Sequence, residues 1–401
     1  MIDRMAEILE EKKVEGPKLP LVFMIATTPF AVNAFLENHI TTLSRHYKII
    51  VLTNLLAYEL APKILSTVEV RHINFSRKIS FLSDIKTLLK LTLLFCKFRP
   101  SVIHSITPKA GLLAIAAGFI SRTPYRWHTF TGQVWVTREG LIRHILKGLD
   151  KLIVLMATGV FADSLSQCRL LENEGVVRIG QISVLGPGSI AGVDLNRFHI
   201  DAAHYELLRH QLGIHANVTV FLFVGRLARD KGVFDLIQAF LKLASELHYI
   251  ELWVVGPDEE GLQKKLQKLA EGSHLPIRWL GKTSCPEYFM SAADVLLLPS
   301  YREGFGSVII EAAACGIPSV AYSVDGVVDA IEDGVTGLLV EVAQYEAFAL
   351  AMKRLALNKG LRKNLGESAK ERVISSFSNE IVTKVWLEFY LSQTSEDNKA
   401  C

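Results

Sequence analysis

Short, near-continuous apolar runs alternate with longer amphipathic stretches along most of this chain. In the first half the runs fall at residues 19–26, 47–53, 68–75, 101–105, 126–130 and 159–162, with segments of helical periodicity such as 35–45 between them. Strands without a polar face that alternate with helices predict a parallel sheet covered on both sides. The second half repeats the theme at 218–224, 250–255, 277–280, 295–299 and 318–321. Between the halves lies 185–197 (LGPGSIAGVDLNR), rich in glycine and turn formers, which reads as linker and hinge. The expectation is an α/β protein of two doubly wound parallel-sheet domains, residues 1–188 and 189–377. A C-terminal helix at about 378–396 is expected to pack back on the first domain. A length of 401 residues agrees, since one hydrophobic core rarely serves so long a chain. Ligands of such sheets bind beyond the carboxyl ends of the strands, so the cleft between the domains is the expected site.

Composition adds limits. Half the residues are hydrophobic and the mean hydropathy is +0.27, enough for two cores. The longest apolar runs, 111–120 and 152–161, are too short to span a bilayer. The opening residues carry mixed charges and no apolar signal core, which predicts cytoplasmic residence. Cys96, Cys168, Cys285, Cys315 and Cys401 are scattered, with no C-x-x-C pair and no histidine spacing suited to zinc; reduced, mostly buried thiols are expected. About five residues at the C-terminus read as disordered.

Net charge is +3, yet residues 1–200 hold 24 Lys and Arg against 15 Asp and Glu, and the remainder 20 against 26. The basic half suits an anionic partner such as a phospholipid surface or a lipid-linked phosphate. Residues 83–99 set Lys86, Lys90 and Lys97 on one helical stripe among leucines and phenylalanines, with Arg77, Lys78 and Arg99 nearby and Lys109 a further acceptor or membrane candidate. An ordinary surface helix shows the same pattern, but peripheral contact with an anionic membrane is the expectation. Nucleic-acid binding is not expected, because the basic residues lack the interleaved aromatics of a recognised module.

Two motifs carry chemistry. In Glu303-Gly304-Phe305-Gly306-Ser307-Val308-Ile309-Ile310-Glu311 a strand runs through a glycine-flanked turn into a helix. Amides at a helix N-terminus bind anionic or sugar oxygens, and two carboxylates bracketing the turn can each hold hydroxyls of one ligand. Read singly, each glutamate is equally a surface acid favoured by the helix dipole. In Gly225-Arg226-Leu227-Ala228-Arg229-Asp230-Lys231-Gly232 a loop follows the second domain's first strand, where phosphate loops sit. A planar guanidinium and a mobile ammonium suit a diphosphate, and can stabilise the charge on a departing nucleotide where a divalent metal otherwise would. No D-x-D signature stands at a strand end, so a metal-free site is expected. A solvated basic loop is the plain alternative.

These motifs, together with Val255-Gly256-Pro257 and Glu311-Ala312-Ala313-Ala314-Cys315-Gly316-Ile317-Pro318, resemble those of the large retaining family four of GT-B glycosyltransferases. Gly192-Val193-Asp194-Leu195-Asn196-Arg197-Phe198 is similar to that family's G-V-D-x-x-x-F turn. Val102-Ile103-His104-Ser105, Thr107-Pro108-Lys109-Ala110-Gly111 and Trp127-His128-Thr129-Phe130-Thr131-Gly132 resemble bacterial members that build lipopolysaccharide, O-antigen, capsule and lipid-linked glycan precursors. The resemblance covers nearly the whole chain. It implies the GT-B fold, two Rossmann-like domains facing an interdomain cleft. It further implies transfer of a hexose or N-acetylhexosamine from a nucleotide-diphosphate sugar, with UDP favoured, to a polyprenyl-diphosphate-linked glycan at the membrane. Arg226 and Lys231 would hold the donor diphosphate, with Gly225 and Gly256 beside them, and Glu311 the ribose hydroxyls. Glu303 with Gly304, Phe305, Gly306 and Ser307 would hold the donor sugar, and His128 would lie near the transferred sugar. His128 is equally a satisfied core residue. The family's Gly-Gly pair after the first strand is absent here, where the loop reads Thr27-Thr28-Pro29-Phe30-Ala31-Val32-Asn33, so contacts through that loop lack support.

Retention without an evident protein nucleophile implies front-face attack, the leaving phosphate oxygen taking the acceptor proton, with catalysis by positioning and charge stabilisation. No cofactor is expected. A nucleotide-sugar epimerase or a non-catalytic sugar-binding partner on the same fold are the rivals; a pyridoxal phosphorylase would need a Schiff-base lysine that nothing singles out.

Overall fold

A computed structural model describes residues 19–394 apart from 57, 77–79 and 272–275. The expectations for the N-terminal residues, Arg77, Lys78, Cys401 and the C-terminal tail lie outside the described residues. The first sheet is wholly parallel and comprises β1 (Leu21–Ile25), β2 (Lys48–Thr53), β3 (Glu69–His72), β4 (Val102–Ser105), β5 (Tyr125–Phe130), β6 (Gly159–Ala162) and β7 (Ile182–Val184), in the order β3-β2-β1-β4-β5-β6-β7. The second comprises β8 (Thr219–Val224), β9 (Ile250–Val255), β10 (Ile277–Gly281), β11 (Val295–Leu298), β12 (Ser319–Tyr322) and β13 (Gly337–Val340), in the order β10-β9-β8-β11-β12-β13. In each sheet the order in which strands are added reverses once, at β1/β4 and at β8/β11, and there the loops diverge to leave a crevice. This is the expected doubly wound α/β architecture, twice.

Strands β7 and β13 were not anticipated. Three and four residues are too few to show a period, and the apolar Gly337–Val340 run follows a Glu332–Thr336 turn that resembles a loop. The expected strand at 68–75 shortens to β3, and the helical segment at 35–45 is the helix Glu37–Leu43, preceded by a second short helix, Pro29–Phe35, with Leu36 between them. Of the cysteines, Cys168 and Cys315 are buried, Cys96 is exposed and Cys285 lies between.

Helices cover both faces of the first sheet. Phe81–Phe98, Pro108–Ile120 and Gly140–Met156 pack on one face through Leu91, Phe95, Ala114 and Ile153. The other face receives Glu37–Leu43 and the last helix, Asn379–Thr394, whose Val382, Trp386 and Tyr390 are buried with Val22, Ile49 and Trp127. The chain therefore crosses between domains twice, and the two crossings run side by side: Val193 N–H donates to the Phe377 carbonyl at 2.8 Å and Asn379 N–H to the Val193 carbonyl at 2.8 Å.

Histidines make this docking polar. The Trp386 indole stacks against His39 at 4.1 Å and against His104 at 4.9 Å. His39 Nε2 pairs with the Ile190 carbonyl at 2.6 Å, and His104 with the Tyr390 hydroxyl at 2.7 Å and the Thr129 hydroxyl at 2.8 Å. Burial pushes the pKa of His39 down to about 4 and those of His104 and His128 to about 3. An unfolded chain takes up protons on these rings near pH 6.5 and the folded one does not, so their contribution is intact above pH 6.5 and is lost as pH falls toward 4. Thermal unfolding at pH 7 and pH 5 is expected to show a steep acid loss, up to about 1.4 kcal/mol per pH unit for each histidine. A midpoint unchanged over that interval contradicts the neutral-histidine core.

Candidate functional site at the domain seam

Lys231 and Glu303, 72 positions apart in sequence, meet at 2.6 Å between Nζ and Oε1, both side chains largely shielded from solvent. Lys231 ends a short 3-10 turn after β8, and Glu303 lies in the loop after β11; the crevice at β8/β11 is what brings them together. Arg226, in the same β8 loop, reaches Glu259 at 3.1 Å and Asp230 at 3.8 Å, and Asp230 also holds Arg302 at 2.8 Å. Three of the expected donor groups thus stand in two ionic sets that are neighbours along the chain, Arg226 with Glu259, Asp230 and Arg302, and Lys231 with Glu303, and in each the cations are positioned by acids. Gly225 and Gly256 lie at their base, the Gly225 N–H donating to the Val255 carbonyl at 2.9 Å.

After Glu303 the chain turns through Gly304, Phe305 and Gly306 into the helix Ser307–Ala314. Gly306 caps it with a left-handed φ of 81°, and the dipole makes this end favourable for an anion. The Phe305 ring is buried against Phe377, so only its backbone faces the site. Glu311, one turn after Ser307, lies beside Arg197 and Glu287, which pair with each other at 2.8 Å. Burial pushes the Glu311 carboxyl up to about 7, against the pull of Arg197 and with the push of Glu287.

The first domain contacts this turn directly. A Cβ on Gly304 would lie 2.2 Å from Asp163 Oδ2 and 2.8 Å from the Thr131 carbonyl, so the seam closes only over a glycine. Burial, with Glu303 and Asp329 nearby, raises the Asp163 pKa well above the carboxylate range and favours its neutral form. The Ser164 hydroxyl donates to the Gly304 carbonyl at 3.0 Å, and Gln167 Nε2 to the Glu303 carbonyl at 3.0 Å. Beside these contacts a cavity of about 460 Å³ opens between Gln167 and Leu170 of the first domain and Arg302, Glu303 and Asp325 of the second.

His128 requires correction. Its ring is fully buried on β5, bonded to the Ser105 hydroxyl at 2.8 Å and pressed against Gly111, where a Cβ would come within 2.3 Å of it. The first turn of the Pro108–Ile120 helix packs on it at Gly111. Thr131 and Gly132, just past the strand end, meet Glu303 and Gly304 instead. Lys109 is tied to Asp84 at 2.7 Å rather than presented to an acceptor. Lys86, Lys90 and Lys97 are exposed. Arg197, Asp163, Ser166, Gln167 and Arg302 had no role assigned from sequence; the one local signal was Ser164 as an N-cap after a strand.

Residues 205–372 match the model of the family described as glycosyl transferases group 1. The capsular polysaccharide biosynthesis glycosyltransferase CapM of Staphylococcus aureus is 33% identical over 316 residues, 78% of this chain and 83% of that protein. The structure of Anabaena HepE in complex with UDP and glucose superposes with a TM-score of 0.76 at 20% identity, covering 93% of this chain and all of that one. Sucrose-phosphate synthase from Thermosynechococcus elongatus does so with 0.77 at 21% identity, covering 94% and 100%. Both establish the same two-domain GT-B fold.

Replacing Gly304 by alanine is expected to force the seam apart without unfolding either domain. Small-angle scattering should show a larger radius of gyration than wild type; an unchanged radius argues against the tight seam.

Proposed function

The chain belongs to the glycosyl transferases group 1 family, and from that premise we propose that it moves a hexose or N-acetylhexosamine from a nucleotide-diphosphate sugar, with UDP as the nucleotide, onto a lipid-linked glycan in cell-surface polysaccharide biosynthesis. The observation that carries the reading is the contact of Lys231 with Glu303 beside Arg226 at the β8/β11 crevice. Lys231 and Arg226 would take the diphosphate, Glu303 and the amides from Gly304 to Ser307 the sugar, and Glu311 the ribose hydroxyls. The glycan class is supported by the capsular relative, and UDP by the complex of HepE.

In the proposed reaction the acceptor hydroxyl attacks the anomeric carbon on the face that the diphosphate leaves. The C–O bond to the phosphate breaks as the new glycosidic bond forms, and the leaving phosphate oxygen accepts the hydroxyl proton, so the configuration is retained. The two cations stabilise the negative charge that grows on the diphosphate, without a metal ion. An epimerase on this fold would release nucleoside diphosphate without acceptor; a transferase would not.

The acceptor's membrane supplies the second partner. No helix among the described residues is long and apolar enough to cross a membrane. The helix Phe81–Phe98 buries Thr87, Leu91 and Phe95 and turns Leu82, Leu89 and Leu93 outward with Lys86, Lys90 and Lys97. The helix Gly140–Met156 turns Leu141, Ile145, Leu152 and Leu155 outward as well, while Glu174 draws Arg143 and Lys147 toward the protein. Apolar side chains mixed with cations suit an anionic bilayer surface.

Lys231→Ala is expected to lower turnover roughly 100- to 1,000-fold while shifting the unfolding midpoint by only a few degrees; near-normal transfer refutes the assignment. Glu311 binds ribose hydroxyls as a carboxylate, present above its pKa of about 7. UDP affinity should therefore rise from pH 6 to pH 8 more steeply in wild type than in Glu311→Gln, measured by calorimetry; parallel profiles remove that role. Co-sedimentation with phosphatidylglycerol vesicles should exceed that with phosphatidylcholine and fade with salt; equal binding removes the membrane face.

A further inference from the structure

The N-terminal turn of the helix Leu165–Asn173, on the first domain, holds the backbone of the turn that we assign to the donor sugar on the second. Gln167 donates to the carbonyl of Glu303 at 3.0 Å and Ser164 to that of Gly304 at 3.0 Å. The Ser166 amide donates to Asp329 Oδ2 at 2.9 Å, its hydroxyl donates to the same oxygen, and the hydroxyl accepts from the Gly326 amide at 2.6 Å. Ser164, Ser166 and Gln167 are each at most 6% exposed. Gly326 in turn backs the Gly304 carbonyl, where a Cβ would lie 2.3 Å away. Two successive carbonyls of one sugar-binding turn are thereby fixed by hydrogen bonds that arise in the other domain.

We propose that Gln167 and Ser164, which hold the two carbonyls directly, and Ser166, which holds Gly326 behind them, are positioning residues for transfer: they set the Glu303–Gly304 turn only when the domains are together. This rests on the reading of Glu303 as the donor-sugar residue. Carbonyl orientation at 303 and 304 decides where the Glu303 carboxylate and the following amides point. The groups assigned to the nucleotide, Arg226, Lys231 and Glu311, all belong to the second domain and need no such help. Loss of the clamp therefore separates nucleotide binding from turnover. A misplacement of about 1 Å at a reacting centre costs on the order of 100-fold in rate.

The test uses the full chain with Gln167→Met, near-isosteric but without the N–H donor, and Ser166→Ala. UDP affinity by calorimetry, kcat at saturating donor and acceptor, and the unfolding midpoint are measured for each. The expected result is a fall in kcat of roughly 10- to 100-fold, with the UDP dissociation constant within about twofold of wild type. Wild-type kcat in both variants overturns the proposal. So does a proportional loss of kcat and UDP affinity, which marks a merely structural contact. Glu303→Ala, run alongside, separates the two levels of the argument. If it too leaves kcat intact, the donor-sugar reading itself fails; if it abolishes turnover while the clamp variants do not, only the positioning role fails.

Discussion

The missing side chain at position 304 is the constraint on which the seam depends. Two parallel sheets present their strand ends to each other, and a crevice between them closes only where one backbone can lie on another. With Asp163 Oδ2 2.2 Å from where a Cβ would stand, any other residue holds the halves apart. The same closeness removes water from Asp163 and shields much of the Glu303–Lys231 pair. Low dielectric then strengthens every surviving charge interaction and penalises every unpaired one. A neutral Asp163 avoids placing a second anion next to Glu303, and Lys231 neutralises the first.

The charged groups of the second domain share a logic. Each cation assigned to phosphate is engaged by an acid in the structure, Arg226 by Glu259 and Asp230 and Lys231 by Glu303, and the neighbouring Arg302 is held by Asp230 as well. These pairs restrain long side chains, which lowers the ordering cost that binding must meet. A diphosphate would then compete with carboxylates that are already in place, so its gain is the difference between two strong interactions. That arrangement suits a substrate that must be released after each turnover.

How far the sequence reached can be judged residue by residue. The strands of both sheets were legible where five or six apolar residues ran together, as in β2, β8 and β9, and illegible in β7 and β13, which are too short to carry a period. The loop glycines and flanking charges of 225–232 and 303–311 marked the crevice because such residues are costly elsewhere. His128 misled. Strand residues alternate between faces, and a one-residue difference in direction decides whether a ring meets the crevice or the helix above it. The contacts of Ser166 and Gln167 left no local signal at all, since their partners lie 136 to 163 positions away.

The double crossing of the chain connects these features. Were the domains joined by the 185–197 segment alone, their relative placement would rest on one flexible run. Instead the return segment lies beside it through the Val193, Phe377 and Asn379 backbone bonds, and the helix it feeds is anchored by Trp386 between two neutral histidines. His39 also grips the Ile190 carbonyl within the first crossing. The histidine core of the first domain thus restrains the hinge, the hinge limits how the two strand-end faces can approach, and that approach brings Gln167 to the Glu303 carbonyl. Packing far from the crevice thereby sets the geometry within it.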